Sequence, residues 1–196
     1  MKIDLYTHEM PSVFARFREI VGERHWRKRV DSIKVDWKGR PYLRDLLQEI
    51  NAIAVALDRC SSLTSRYGQL ADIHTRDRSL YPAFQLAAQT LSIMDAVPSD
   101  QARRFVRRLH GAFKNPDDMR AVQLELGVAT HFIRRGNQVS WPEIDNTGSF
   151  DLLVHDIGTE GLEVECKSVS NDCGRRIHKR DALEFNHLIR QEVEVL

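Results

Sequence analysis

Two apolar, strand-like runs late in the chain carry charge where strands of this kind usually bury their residues. The first is Gly148-Ser149-Phe150-Asp151-Leu152-Leu153-Val154; the second, nine residues later, is Glu163-Val164-Glu165-Cys166-Lys167-Ser168-Val169. Side chains alternate across a strand, so Glu163, Glu165 and Lys167 share one face, and Leu162, Val164, Cys166 and Ser168 share the other. The preceding strand can bring Asp151 alongside, at its start. Carboxylates held close together repel unless something positive lies between them. A hard divalent cation suits that place, since Mg²⁺ takes one or two carboxylates together with water and phosphate oxygens. A third carboxylate, Glu125, lies inside the apolar helical stripe Ala121, Val122, Val128, Ala129 and Phe132. Burying it there is costly unless it is paired or metal-bound. Crowding of the three should make at least one of them titrate high.

The elements that must position these residues follow from capping and periodicity. Asn115-Pro116-Asp117-Asp118 reads as a helix start, with a capping Asn, a Pro in the first turn and acids at the positive end of the dipole. Gly136, after Arg134-Arg135, reads as the residue that ends that helix. Strands are expected over 138–141, 150–156 and 161–169, with Pro142, the 145–148 cluster and the 158–161 turn between them. Ala182, Phe185, Leu188, Ile189 and Val193 then follow helical spacing. The order is helix, strand, strand, strand, helix. Upstream, Val13, Phe14, Phe17, Ile20 and Val21 predict a helix, and Leu43 to Leu57 predict another after Pro41. Further helices are expected around 63–76, 81–96 and 99–113, the last with Ser99 as N-cap. Met1–Tyr6 alternates like a short strand.

With 42% hydrophobic and 29% charged residues among 196, the chain has an ordinary globular composition, enough for one large domain or two small ones. No apolar run approaches the ~18 residues of a membrane span, and no secretory leader is evident. Cys60, Cys166 and Cys173 are too few and too scattered for a disulfide framework or a zinc cluster, so a reducing cytoplasm is expected. Net charge is only +1 but unevenly spread. Residues 101–114 hold Arg103, Arg104, Arg107, Arg108 and Lys114 without an acid, and residues 171–180 hold Arg175, Arg176, Lys179 and Arg180 against Asp172. A third cluster is Arg24-His25-Trp26-Arg27-Lys28-Arg29. Such patches on a neutral chain suit a polyanion, although charge runs also form simple solvated helix faces. Arg175, Arg176, Lys179, Arg180, Arg104 and Arg108 are the candidates for contacts to nucleic-acid phosphates. Trp26 is expected in the core rather than stacked on a base, His155 as a polar strand-end residue, and the Cys166 side chain in the interior.

Taken together, Asp151, the tripeptide Glu165-Cys166-Lys167 and Glu125 on the preceding helix resemble the PD-(D/E)XK nuclease superfamily over residues 116–196. Asp151 matches the motif's aspartate, Glu165-Cys166-Lys167 its E-x-K tripeptide, and Glu125 the acid often found on the first core helix. The resemblance implies an α/β chain: a helical region over 1–114, then a restriction-endonuclease-like α-β-β-β-α core with a mixed sheet over 115–196. It implies a metal-dependent nuclease hydrolysing phosphodiester bonds of DNA. Asp151, Glu165 and the backbone carbonyl of Cys166 would hold Mg²⁺ or Mn²⁺, Glu125 would reach the metal directly or through water, and Lys167 would orient the attacking water. The alternative is a nuclease-fold module that binds nucleic acid or protein without cutting. This core usually has a strand after its second helix, for which residues 192–196 offer only a stub. Either the chain is a piece of a longer one, or the sheet edge is covered by Met1–Tyr6, by a second subunit of a homodimer or by another protein.

Overall fold

The structure, a computed structural model, describes residues 6–145, 147–149, 151–170 and 172–194. Seven helices come first: α1 (Met10–Val21), α2 (Arg24–Gly39), α3 (Arg44–Ile50), α4 (Ala52–Tyr67), α5 (Asp72–Thr75), α6 (Tyr81–Ala96) and α7 (Ser99–Ala112). They are followed by α8 (Pro116–Arg134), β1 (Val139–Ser140), α9 (Pro142–Asp145), β2 (Leu152–Val154), β3 (Leu162–Val164) and α10 (Lys179–Glu194). The expected order of helix, three strands and helix is present, with the short α9 inserted after β1.

Helix α8 begins as its sequence dictates. The Asn115 side-chain oxygen accepts from the Asp117 N–H at 3.1 Å, and Pro116 occupies the first turn, where no intrahelical donor is needed. It ends in a Schellman motif: Gly136 N–H donates to Ile133 C=O and Asn137 N–H to Phe132 C=O. Gly136 has φ +89°, the left-handed conformation this motif needs. Other boundaries moved. Pro98 rather than Ser99 caps α7. The single helix expected through Leu43–Leu57 breaks at Asn51, whose side chain donates to Leu47 C=O at 2.7 Å, a local alternative to the helical ladder. Helix α2 carries the basic cluster on a helix whose 4- and 3-residue spacing of Trp26, Val30 and Ile33 forms the buried stripe. Trp26 is fully buried between Phe17 and Phe113, so it belongs to the core as expected.

The described strands form one antiparallel sheet, β1-β2-β3, with Val139 opposite Val154 and Leu152 opposite Val164. The mixed sheet expected from the sequence is not found, because no further described strand joins it. Helix α10 stays helical to Glu194, which removes most of the alternating 192–196 run as a strand; Val195 and Leu196 lie outside the described residues. So do residues 1–5, on which the expected N-terminal strand falls. Gly161, at φ +89°, ends the 155–161 connection and leads into β3, where a Cβ would lie 3.0 Å from Leu153 and 3.1 Å from the Val154 carbonyl.

Helix α8 packs on α6, α7, β1 and β2. One buried cluster therefore runs from Met10 to Leu152, continuous across the expected boundary at 114/115. Helix α10 lies apart from that cluster, against the Pro41–Leu43 turn, with the Tyr42 and His187 rings stacked 4.2 Å apart. Its apolar stripe of Phe185, Leu188 and Ile189 is exposed. Among the described residues no helix is long and apolar enough to cross a membrane.

Candidate metal and phosphate site

Glu125 sits on the packing face of α8 with Val122, Leu126 and Ala129, and is 3% exposed. Its Oε1 accepts a 2.6 Å hydrogen bond from Arg108 Nη2 on α7, while Oε2 is buried without a hydrogen-bond partner among the described residues. Arg108 also lies 3.6 Å from Glu143 on α9. Asp151, half-buried at the start of β2, uses Oδ2 to accept from the Cys166 backbone N–H at 2.6 Å. That bond ties the segment after β3 to the start of β2 at the point where the ladder stops.

The electrostatics bring the same groups together. Burial pushes the Glu125 carboxyl up to about 7, helped by the negative charges of Asp151 and Glu143 and opposed by Arg108. One of the crowded carboxyls does titrate high, as expected, but burial rather than mutual repulsion is the larger cause. The Cys166 thiol is pushed up to about 11, first by burial and then by Asp151, Glu125 and Glu165. A thiol held neutral in an acidic surrounding is no nucleophile at ordinary pH.

The expected site is therefore brought together in part. Glu125, Asp151 and Cys166 converge between α8 and the start of β2. Glu165 and Lys167 are exposed on irregular chain, because β3 ends at Val164 rather than running to Val169. Their alternation with the half-buried Val164, Cys166 and Ser168 persists beyond the strand, so they share its outer side. Among the described residues no group of three or more His, Cys, Asp or Glu side chains is gathered closely enough to hold a metal ion. The three-carboxylate cluster read from the sequence is not pre-assembled.

The basic candidates also divide. Arg108 faces inward on Glu125, and Arg104 donates to the Ile144 carbonyl at 3.2 Å, so both brace α9. With the exposed Arg107 they line a shallow depression beside Glu143. Lys179 pairs with Glu49 at 2.5 Å, Arg175 lies 3.8 Å from Asp172, and Arg180 lies 3.3 Å from Glu184. Arg176 is exposed. His155 meets Ser140 across β1 and β2 at 2.8 Å, the strand-end polar contact expected of it. The residue whose role was missed is Arg108. Its signal was its place directly beside the apolar stripe of Phe105 and Leu109, which aims it at the neighbouring helix. Comparison with known protein families, curated proteins and solved structures finds no match to this chain.

Proposed function

We propose that the chain is a metal-dependent nuclease that hydrolyses phosphodiester bonds of DNA, with its reaction centre between α8 and the start of β2. The observation that carries this reading is the convergence of Glu125 and Asp151, with one buried carboxylate oxygen left unpartnered among the described residues. Such an oxygen is expensive to bury and is a ready ligand for a hard cation. Glu125 and Asp151 would hold Mg²⁺ or Mn²⁺, which needs only one or two carboxylates beside water and phosphate oxygens, and the exposed Glu165 and the Cys166 carbonyl would have to join them on binding. When bound, the ion lowers the pKa of a water molecule and neutralises charge on the phosphate.

The chain's own groups do the rest. Arg108 fixes the direction of the Glu125 carboxylate by its hydrogen bond and tempers its charge. Lys167 orients the attacking water and stabilises the negative charge that develops on the phosphate oxygens. Arg104 and Arg107, in the depression beside the carboxylates, attract flanking phosphates. The test is cleavage of plasmid and linear DNA with Mg²⁺, Mn²⁺ or EDTA. Wild-type protein should cut only with metal, and Lys167→Ala, whose side chain is exposed, should remain folded and lose most of the rate. Equal cutting by both proteins, or cutting in EDTA, overturns the reading.

A specific observation favours a second reading, a nuclease-fold module that binds nucleic acid without cutting. Arg108 already supplies a positive charge to Glu125, and Glu165 and Lys167 stand outside the cluster. That reading expects DNA binding in EDTA and no cleavage under any metal.

A further inference from the structure

On the other side of α8 from Glu125 lies a cleft of about 500 Å³, within the ~300–1,000 Å³ usual for small-ligand sites. Helix α8 turns Pro116, Met119, Arg120 and Gln123 toward it, at helical spacing. The α3–α4 junction forms a second wall, and residues of the 170–179 segment a third. We propose that this cleft binds a phosphate monoester carried on an apolar body, a nucleoside monophosphate in chemical class.

Charge is the first reason. Four cations line the cleft, Arg29, Arg120, Arg175 and Lys179, against two carboxylates, Glu49 and Asp172. Asp117, 3.0 Å from Arg120, reduces the excess to one, and a cleft of net positive charge favours a phosphate monoester, which carries about −1.5 to −2 at neutral pH. The arrangement of Arg29 is the second reason. Lys179, Arg175 and Arg120 each lie near an acid, Glu49, Asp172 and Asp117. Arg29 instead donates to two neutral acceptors, Asn51 Oδ1 at 2.7 Å and the Lys114 carbonyl at 3.3 Å. Asn51 is itself buried and anchored on Leu47 C=O. Arg29 is thus a half-buried guanidinium held in place by uncharged groups, with no acid among its described partners. A planar guanidinium fixed in this way is suited to a phosphate, which it can meet with paired N–H donors.

The apolar lining is the third reason. Ile50, 41% exposed, gives the cleft an open apolar surface, and Leu46, Ile53 and Met119 are buried in its wall. Inorganic phosphate would leave that surface wet, whereas a ligand with a flat or apolar body covers it. The assignment to a nucleoside rests on the nuclease reading; the phosphate-on-apolar-body chemistry rests on the cleft alone.

Calorimetric titration of the full chain in EDTA tests the proposal independently of cleavage. The probes are AMP, adenosine, inorganic phosphate, and an oligonucleotide with and without a 5′-phosphate. AMP should bind one to one, at least about tenfold more tightly than phosphate or adenosine, and at least about tenfold more weakly to Arg120→Ala and Arg29→Gln. Arg66→Ala, on a different surface, should leave binding unchanged. Binding of the 5′-phosphorylated oligonucleotide alone, lost in the same variants, also upholds the site and identifies a nucleic-acid end as its source. If Arg29→Gln unfolds, Arg120→Ala decides. Phosphate binding as tightly as AMP, no binding of any phosphorylated probe, or binding indifferent to Arg120→Ala overturns the proposal. Failure of the nuclease reading would appear instead as absent metal-dependent cleavage with AMP binding intact.

Discussion

Replacing Glu125 by Gln keeps the shape of the side chain and removes its titration. In the fold this carboxyl binds its proton more tightly than in the open chain, at about 7 against an ordinary value of 4.5. The stability it contributes is therefore complete below pH 4.5 and is lost as pH rises through 7, where the ionised group must stay buried beside Asp151 and Glu143. The difference corresponds to about 3 kcal/mol between the two ends of that window. Urea unfolding in EDTA at a series of pH values from 4.5 to 8 gives the free energy directly. The wild type should lose about 3 kcal/mol more across the window than Glu125→Gln does, with the change concentrated between pH 5 and 7.5. Parallel pH profiles for the two proteins would refute the reasoning. So would a wild type that gained stability relative to the variant as pH rose, since Arg108 would then outweigh burial.

Removing Arg108 as Arg108→Met should cost about 3 kcal/mol at pH 8, where it leaves an unpaired buried carboxylate, and clearly less at pH 5, where Glu125 is protonated; denaturant titration at the two pH values checks this. Millimolar Mg²⁺ or Mn²⁺ should raise the melting temperature by mass action, more at pH 8 than at pH 6 because the ion competes with the Glu125 proton; calorimetric scans with and without EDTA measure it, and Glu125→Gln should blunt the rise. Trp26→Ala should cost about 3–5 kcal/mol by opening a cavity between Phe17 and Phe113, read as a lower urea midpoint at unchanged slope. Gly136→Ala should cost more than about 1 kcal/mol, because the Schellman motif holds that residue at positive φ; the same unfolding assay applies.

Local chemistry determined much of this protein without help from the fold. Helix α8 starts at Asn115-Pro116 and stops at Gly136 because a side-chain acceptor, a missing N–H and a residue free to take positive φ act over a few bonds. The spacing of Phe14, Phe17 and Val21, or of Phe105 and Leu109, marked buried faces because a helix repeats every 3.6 residues whatever it packs against. The order of elements around Asp151 and Glu165 was legible for the same reason, as was a carboxylate, Glu125, on a buried stripe. Tertiary structure decided the rest. Where β3 ends cannot be read from its alternation, because Leu162–Val169 alternates throughout; the Cys166 N–H is met by the Asp151 carboxylate, and the chain leaves the ladder with Glu165 and Lys167 outside. That Arg108 serves Glu125 and not solvent depends on α7 packing against α8. That Arg29 stands over a cleft on neutral partners depends on a helix break at Asn51, which brings together residues 22 apart in the chain. Charge carries no period of its own. Which charges meet was therefore fixed by helix packing, in contacts that no local spacing encodes.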